Sequence, residues 1–153
     1  MKIQRSQKKD IPALETVYEA AFASNVFPDN MTEEEGDNNA DLSPAISIQR
    51  DDLITLTIYE NGIIAGGAIL DCTGKGKNRL ERFFISPEFQ NRGLGFSAWK
   101  EIEREYSENR GWTLRTPTCL MNNIFFYVNK CGFHIVRVED IGDDGIGMFV
   151  FEK

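Results

Sequence analysis

Two glycines and an arginine, set between a β-rich run and an amphipathic helix, are the residues of this chain most suited to hold a charged ligand. The stretch reads Leu80-Glu-Arg-Phe-Phe-Ile-Ser-Pro-Glu-Phe-Gln-Asn-Arg-Gly-Leu-Gly95. A strand feeds a turn, and glycines open the next helix. The first N–H groups of a helix have no intrahelical partner. They carry partial positive charge, strengthened by the helix dipole, and together they form an anion site. Gly93 and Gly95 lack a Cβ, so a bulky diphosphate can approach the backbone. Arg92 adds a fixed positive charge with bidentate hydrogen-bonding capacity. The same residues also suit a strand-to-helix turn that holds no ligand, because short glycine motifs are unspecific. Two rival phosphate motifs fail. Gly74-Lys75-Gly76-Lys77 lacks the spacing and the Lys-Ser/Thr ending of a P-loop, and the Gln90–Gly95 loop is not the G-x-G-x-x-G of a dinucleotide site.

The other reactive side chains are sparse. Cys72, Cys119 and Cys131 are odd in number and have no C-x-x-C spacing, which argues against a disulfide framework or a zinc site. They fit a reducing compartment. His134 is the only histidine, and nothing marks a Cys/His nucleophile pair. No metal is expected.

The elements that must position the glycine loop follow from periodicity. Residues 2 to 6 read as a short edge strand. Asp10 is placed to cap a helix whose apolar face is Ile11, Leu14, Val17, Tyr18, Ala21 and Phe22. Asp29 to Pro44 holds six acidic residues and no Lys or Arg, and reads as a loop with room for a short helix. Two β-rich runs, 53–60 and 63–71, flank Asn61-Gly62, a dipeptide that makes a tight hairpin turn. Leu80 to Ser86 is a further strand. From Gly93 to about residue 108 the pattern is helical, with Leu94, Ala98, Ile102 and Tyr106 on one face and Gly111 as the terminator. A strand at 112–118, a helix at 123–130 closed by Gly132, and strands at 133–138 and 147–152 complete the chain. The order β-α-loop-β-β-β-α-β-α-β-β implies an α/β fold, a mixed sheet with helices on its faces.

A chain of 153 residues is expected to form one domain, 1–153. Hydrophobic residues make up 41%, ordinary globular usage. No apolar run approaches the roughly 18 to 20 residues of a membrane span, and Met1 to Arg5 lacks a signal-peptide core. The expectation is a cytoplasmic protein without a membrane partner. A net charge of −7 argues against a nucleic-acid partner. It would favour a cationic partner, or simply aid solubility.

With these motifs assembled, the sequence resembles the GNAT superfamily of acetyl-CoA-dependent N-acetyltransferases. Gln90 to Gly95 resembles the family's Q/R-x-x-G-x-G/A pattern, Ile85-Ser86-Pro87-Glu88 its V-x-P-E lead-in, and Phe126 to Phe133 its F-Y-x-x-x-G-F segment. The element order agrees along nearly the whole chain. The resemblance implies a mostly antiparallel central sheet with splayed middle strands, and acetyl-CoA as co-substrate. The backbone amides of Gln90, Asn91, Arg92, Gly93, Leu94 and Gly95 would hold the CoA diphosphate. Phe96 and Asn123 belong to the same implied cofactor-binding set. The strand around Phe83, Phe84 and Ile85 would run beside the pantetheine arm as an added strand would. Pro117, in the next strand, suits a strand parted from its neighbour or an ordinary edge.

The reaction implied is direct attack of a neutral amine on the thioester, with an amide near Ile85 stabilising the oxyanion. Tyr127 matches the tyrosine that often protonates the departing thiolate; the alternative is a helix-face aromatic packed in the core. Its spacing to Gly132 is one residue longer than the family's, and Leu120 stands where an asparagine is usual. Asn122 or Asn123 would substitute for it, or cap the helix. Glu81 shares a strand face with Phe83 and Ile85 by two-residue alternation. It is the candidate base, or else part of a cross-strand ion pair. The loops bordering the family's acceptor site are acidic here, Asp29 to Asp41 and Glu139, Asp140, Asp143 and Asp144. They point to a small cationic amine or a peptide amine, or are solvated loop charge. A non-catalytic acyl-CoA sensor or complex subunit is the alternative function, and a homodimer is left open.

Overall fold

The computed structural model describes residues 1–25 and 42–153. The acidic run from Asp29 to Asp41 lies outside the described residues. In chain order the elements are β1 (Lys2–Arg5), a 3-10 turn (Lys8–Asp10), α1 (Ile11–Ala23), α2 (Pro44–Ser47), β2 (Ile54–Glu60), β3 (Ile63–Asp71) and β4 (Asn78–Ile85). A second 3-10 turn (Pro87–Phe89), α3 (Leu94–Tyr106) and β5 (Trp112–Pro117) follow. Then α4 (Met121–Phe125) runs into a π turn (Phe126–Lys130), before β6 (His134–Glu139) and β7 (Met148–Glu152). No helix among the described residues is long and apolar enough to cross a membrane.

The strands form one seven-stranded sheet in the order β1-β2-β3-β4-β5-β7-β6. Every neighbouring pair is antiparallel except β4 and β5, which are parallel. The Asn61-Gly62 hairpin forms as its sequence requires, with φ of 52° and 78°. Strand alternation sends side chains to two faces. On one face α1 buries Leu14, Tyr18 and Ala21 against Phe84, and Leu42 and Leu53 pack on Ile69. On the other, Trp99 and Ile102 of α3 and Tyr127 and Phe133 of the α4 region pack with Leu56, Leu70, Leu80, Trp112 and Phe151. Leu94 and Ala98 of α3 meet Ile58, Ala65 and Ile85 there. The close crossing of β3 over β4 needs a residue without a side chain, since a Cβ on Gly66 would collide with the carbonyl oxygen of Phe84.

Four local expectations are corrected. Asp10 makes no capping hydrogen bond; it stands in a helical conformation and accepts the hydroxyl of Tyr59 at 2.7 Å, a partner 49 residues away. Gly111 does not terminate α3. The helix ends at Tyr106, and Gly111, with φ 73°, lies directly against the Lys153 carbonyl beside β5. The 123–130 helix starts at Met121, so neither Asn122 nor Asn123 is its cap. Its second half is a π turn in which the Cys131 N–H donates to the Phe126 carbonyl at 3.1 Å. A π turn absorbs one residue more than an α turn, which is how the longer spacing from Tyr127 to Gly132 is accommodated while Gly132 still ends the helix with φ 81°.

Candidate active site

The site begins where two parallel strands part. β4 and β5 pair only at Asn78–Trp112 and Arg79–Thr113. Beyond those residues β4 continues to Ile85 and β5 to Pro117 with no pairing between them. The free edge of β4 is oriented by its other neighbour. Ser86 donates its N–H to Ala65 on the β3 side at 2.7 Å. In an antiparallel ladder, alternate residues turn their polar groups to opposite sides. Phe83 and Ile85 therefore aim theirs into the gap, and the Ile85 carbonyl, bonded there by the Gln90 side chain at 2.8 Å, shows this direction. Opposite stands Pro117, which has no N–H to leave unpaired.

The gap is a cleft of about 490 Å³ passing through the sheet, with Tyr18 and Phe22 of α1 at one side and Phe96 and Phe126 at the other. Phe83, Phe84, Ile85, Gln90, Asn91, Gly93, Gly95, Phe96, Asn123, Tyr127 and Glu81 all line it. Of the expected site residues, two do not. Leu94 is buried in the core beneath α3, so only its main chain can serve a ligand, and Arg92 is exposed on the loop outside the cleft wall.

At the start of α3, Gly93 takes φ 81°, a left-handed conformation that side chains resist, and among the described residues nothing lies within 4 Å of where its Cβ would be. The first intrahelical bond is Ser97 N–H to the Gly93 carbonyl at 3.1 Å. The N–H groups of Gly93, Leu94, Gly95 and Phe96 therefore precede the ladder, and among the described residues none has an acceptor. No acidic residue stands in that first turn to neutralise them. Gly95 is less constrained. A Cβ there would touch Ile85 and Phe126 at an ordinary 3.6 Å.

Tyr127 is 7% exposed and packs against Phe126, Phe133 and Phe151. Burial, followed by the neighbouring Cys131, pushes its phenol above the usual tyrosine range. It stays protonated at any physiological pH. It is a hydrogen-bond donor at the cleft wall, and complete proton transfer to a thiolate of ordinary basicity runs uphill. Tyr127 is packed as a core aromatic and also lines the cleft.

Glu81 departs from its expected face. In the register Arg82 opposes Ile69 and Leu80 opposes Leu70, leaving Glu81 as the extra residue of a β-bulge. The bulge breaks the alternation, so Phe83 and Ile85 share a face with Leu80 and not with Glu81. The Glu81 carboxylate, 13% exposed, pairs with Arg79 two residues earlier on its own strand, at 3.2 Å. It is thus an ion pair within one strand rather than across two. The acidic β6–β7 loop is partly neutralised as well, because Arg115 meets Glu139 at 3.1 Å and Asp140 at 2.6 Å. Arg137 meets Glu139 at 2.6 Å.

No thiol is activated. Burial raises Cys72 and Cys119 and pushes Cys131 up to about 12. His134 is exposed on the edge strand β6. Among the described residues no group of three His, Cys, Asp or Glu side chains is arranged to hold a metal. Sequence reasoning missed the α1 contribution, Tyr18 and Phe22, and the β5 and β7 residues Arg115, Thr116 and Met148. Nothing local to those residues signals a cleft that exists only because two distant strands diverge.

Residues 14–133 match the acetyltransferase (GNAT) family. The uncharacterized protein YrkN of Bacillus subtilis is 34% identical over 136 residues, covering 88% of this chain and 74% of YrkN. Among solved structures, the ribosomal-protein-S18-alanine N-acetyltransferase from Escherichia coli superposes with a TM-score of 0.72 at 20% identity, over 99% of this chain and 91% of that one. The PaiA N-acetyltransferase from Thermoplasma acidophilum, in complex with coenzyme A, gives 0.72 at 17% identity, over 99% and 97%. At such identities the structures establish the shared fold. The sequence match over most of the length, on a sheet that splits between β4 and β5 beside an open helix start, means that this chain belongs to the GNAT family of acetyltransferases.

Proposed function

We propose that residues 1–153 act as one N-acetyltransferase domain, moving an acetyl group from acetyl-CoA to a primary amine by direct attack when both are bound. The observation that carries this reading is the row of N–H groups from Gly93 to Phe96 that have no acceptor among the described residues, beside the cleft that runs into the split between β4 and β5. Such a row fits a diphosphate, and the exposed Arg92 adds charge at its rim. The free edge of β4 at Phe83 and Ile85 offers main-chain groups to a pantetheine amide. Acetyl-CoA supplies the activated acetyl group. Asn123 and Phe96 complete the cleft wall beside it.

In the reaction the amine nitrogen, already neutral, bonds to the thioester carbon, the C–S bond breaks with the sulfur leaving as thiolate, and the proton that the nitrogen sheds as the amide forms ends on that sulfur through water. The Ile85 N–H would donate to the oxygen where charge develops. Tyr127 donates a hydrogen bond to the leaving sulfur. Glu81, held by Arg79, would take the ammonium proton through water. The acceptor is a small cationic amine or a peptide amine. The acid excess of the chain and of the loop carrying Asp143 and Asp144 supports this, since acidic surroundings concentrate ammonium groups.

A binding-only domain is the second reading. The burial that makes Tyr127 a reluctant acid favours it. A thiol-release assay with acetyl-CoA and panels of polyamines, aminoglycosides and peptides, at low and high salt, distinguishes the two. Release that weakens with salt supports the transferase and its cationic acceptor. A preference for neutral amines contradicts the acceptor, and binding of acetyl-CoA without any release contradicts the transferase.

A further inference from the structure

The chain carries 17 basic against 24 acidic residues, yet one cleft reverses that balance. It holds about 330 Å³ on the α1 face of the sheet, over β4, β5, β7 and β6, and its charged lining is Arg79, Arg82, Arg115 and Arg137 against Glu81 and Glu139. It joins the acetyl-transfer cleft directly, sharing Leu80, Glu81, Arg82, Leu114, Arg115 and Met148 with it. Arg115 therefore lines both spaces. It stands on the parted stretch of β5, two residues past the last pair with β4 and roughly 7 Å along the strand from Pro117.

Arg115 is incompletely used by the protein. Its Nη2 donates to Asp140 and pairs with Glu139, while its Nε is buried with no hydrogen-bond partner among the described residues. A guanidinium presents its donors as a planar fork that matches a carboxylate bidentately, and an unmet buried donor is unfavourable. Its present partner Asp140 is 61% exposed on a surface loop. Such exposed pairs are worth only about 0–1 kcal/mol, so an incoming carboxylate displaces one readily.

Resting on the transferase reading above, we propose that the acceptor is a primary amine that also carries a carboxylate, with Arg115 as the residue that selects it. The carboxylate takes the place of Asp140 at Nη2 of Arg115, and the amine reaches into the gap between β4 and β5. An ammonium drawn by the acidic surroundings and a carboxylate held in an arginine-lined cleft are the two ends of one zwitterion. Free amino acids and peptides bearing an acidic side chain near the amine share this chemistry.

The test compares matched acceptors by thiol release. Free ω-amino acids of increasing length are set against their carboxamides, and peptides with Asp second are set against the same peptides with Asn second. The expected result is a preference for the carboxylate partner of about tenfold or more in kcat/KM, in the free or in the peptide arm. Arg115→Gln should erase it through KM while the Kd for acetyl-CoA holds, and Arg115→Lys should restore part of it. Equal turnover within the wild-type pairs overturns this proposal alone, as does a preference that survives in Arg115→Gln. Binding of acetyl-CoA with no release for any acceptor overturns the transferase reading and this proposal with it.

Discussion

The two ends of the β4–β5 seam behave in opposite ways. At the joined end, Asn78 and Trp112 pair across the strands, and Trp112 is 1% exposed, edge-on to Trp99 at 5.1 Å with its indole N–H donated to the Ser107 hydroxyl at 2.8 Å. Asn78 donates its side-chain amide to the Tyr106 and Ser107 carbonyls at the end of α3, both at 3.0 Å. There the last carbonyls of a helix are met by the protein itself. At the parted end, the first N–H groups of the same helix have no acceptor among the described residues, and the facing edges of β4 and β5 are not paired with each other. One helix thus has a closed terminus over the joined strands and an open one over the split. At the joined end Asn78 Oδ1 and Trp99 Nε1 also lack a partner among the described residues but are enclosed in the core, whereas the open N–H groups of α3 border the cleft, where a ligand can meet them.

The largest expected effect comes from breaking the joined end. Trp112→Ala should destabilise the fold by about 3–5 kcal/mol, read by denaturant unfolding, while the protein that remains folded still binds acetyl-CoA. Loss of binding without loss of stability would reverse the roles of the two ends. Closing the open end comes next. Gly93→Glu puts a side chain into a left-handed position and a negative charge into the phosphate cradle. Affinity for acetyl-CoA should fall at least about 100-fold, or about 2.7 kcal/mol, in a variant whose circular dichroism shows it folded.

Tyr127→Phe should act more mildly. A hydrogen bond to the leaving sulfur is worth about tenfold in kcat, less than the roughly 10²–10⁴-fold of full acid catalysis. Because burial raises its pKa, the protonated donor persists up to and beyond the ordinary value of 10.0, so the wild-type pH–rate profile should show no fall attributable to Tyr127 below that pH. The gentlest perturbation changes no residue. Burial of Cys131 in the core with Trp112 pushes its thiol from the ordinary 9.0 up to about 12. Between those values the folded state holds the proton that the unfolded state has lost. The Cys131 contribution should be full below pH 9 and decline as pH rises towards 12, so a Cys131→Ala variant should lose stability less steeply over that range than the wild type.

Much of this was readable in the residues, for a physical reason. Asn61-Gly62, Gly93 and Gly132 dictate local backbone conformations, and each appears where the sequence places it. The apolar faces of α1 and α3 followed from helical spacing in the same way. What escaped depends on distant partners. The bulge at Glu81 exists only through the register of β4 on β3, and it moves the expected base off its assumed face. Asp10 forgoes capping for a tyrosine 49 residues away. The one-residue surplus after Tyr127 was visible, but its resolution as a π turn depends on the packing of Cys131 and Phe133 into the core. The cleft walls from α1, β5 and β7 were likewise unreadable, since divergence of strands is a property of the assembled sheet.

The central claim is that main-chain donors at the start of α3 hold the diphosphate of the acetyl carrier. Nuclear magnetic resonance of the amide-labelled protein, titrated in parallel with coenzyme A and with pantetheine, which lacks the diphosphate, tests it residue by residue. The account predicts that coenzyme A shifts the amide protons of Gly93, Leu94, Gly95 and Phe96 downfield and that pantetheine leaves them in place. If coenzyme A binds and those four amides do not move, or if pantetheine moves them equally, the diphosphate is held elsewhere and the account is wrong.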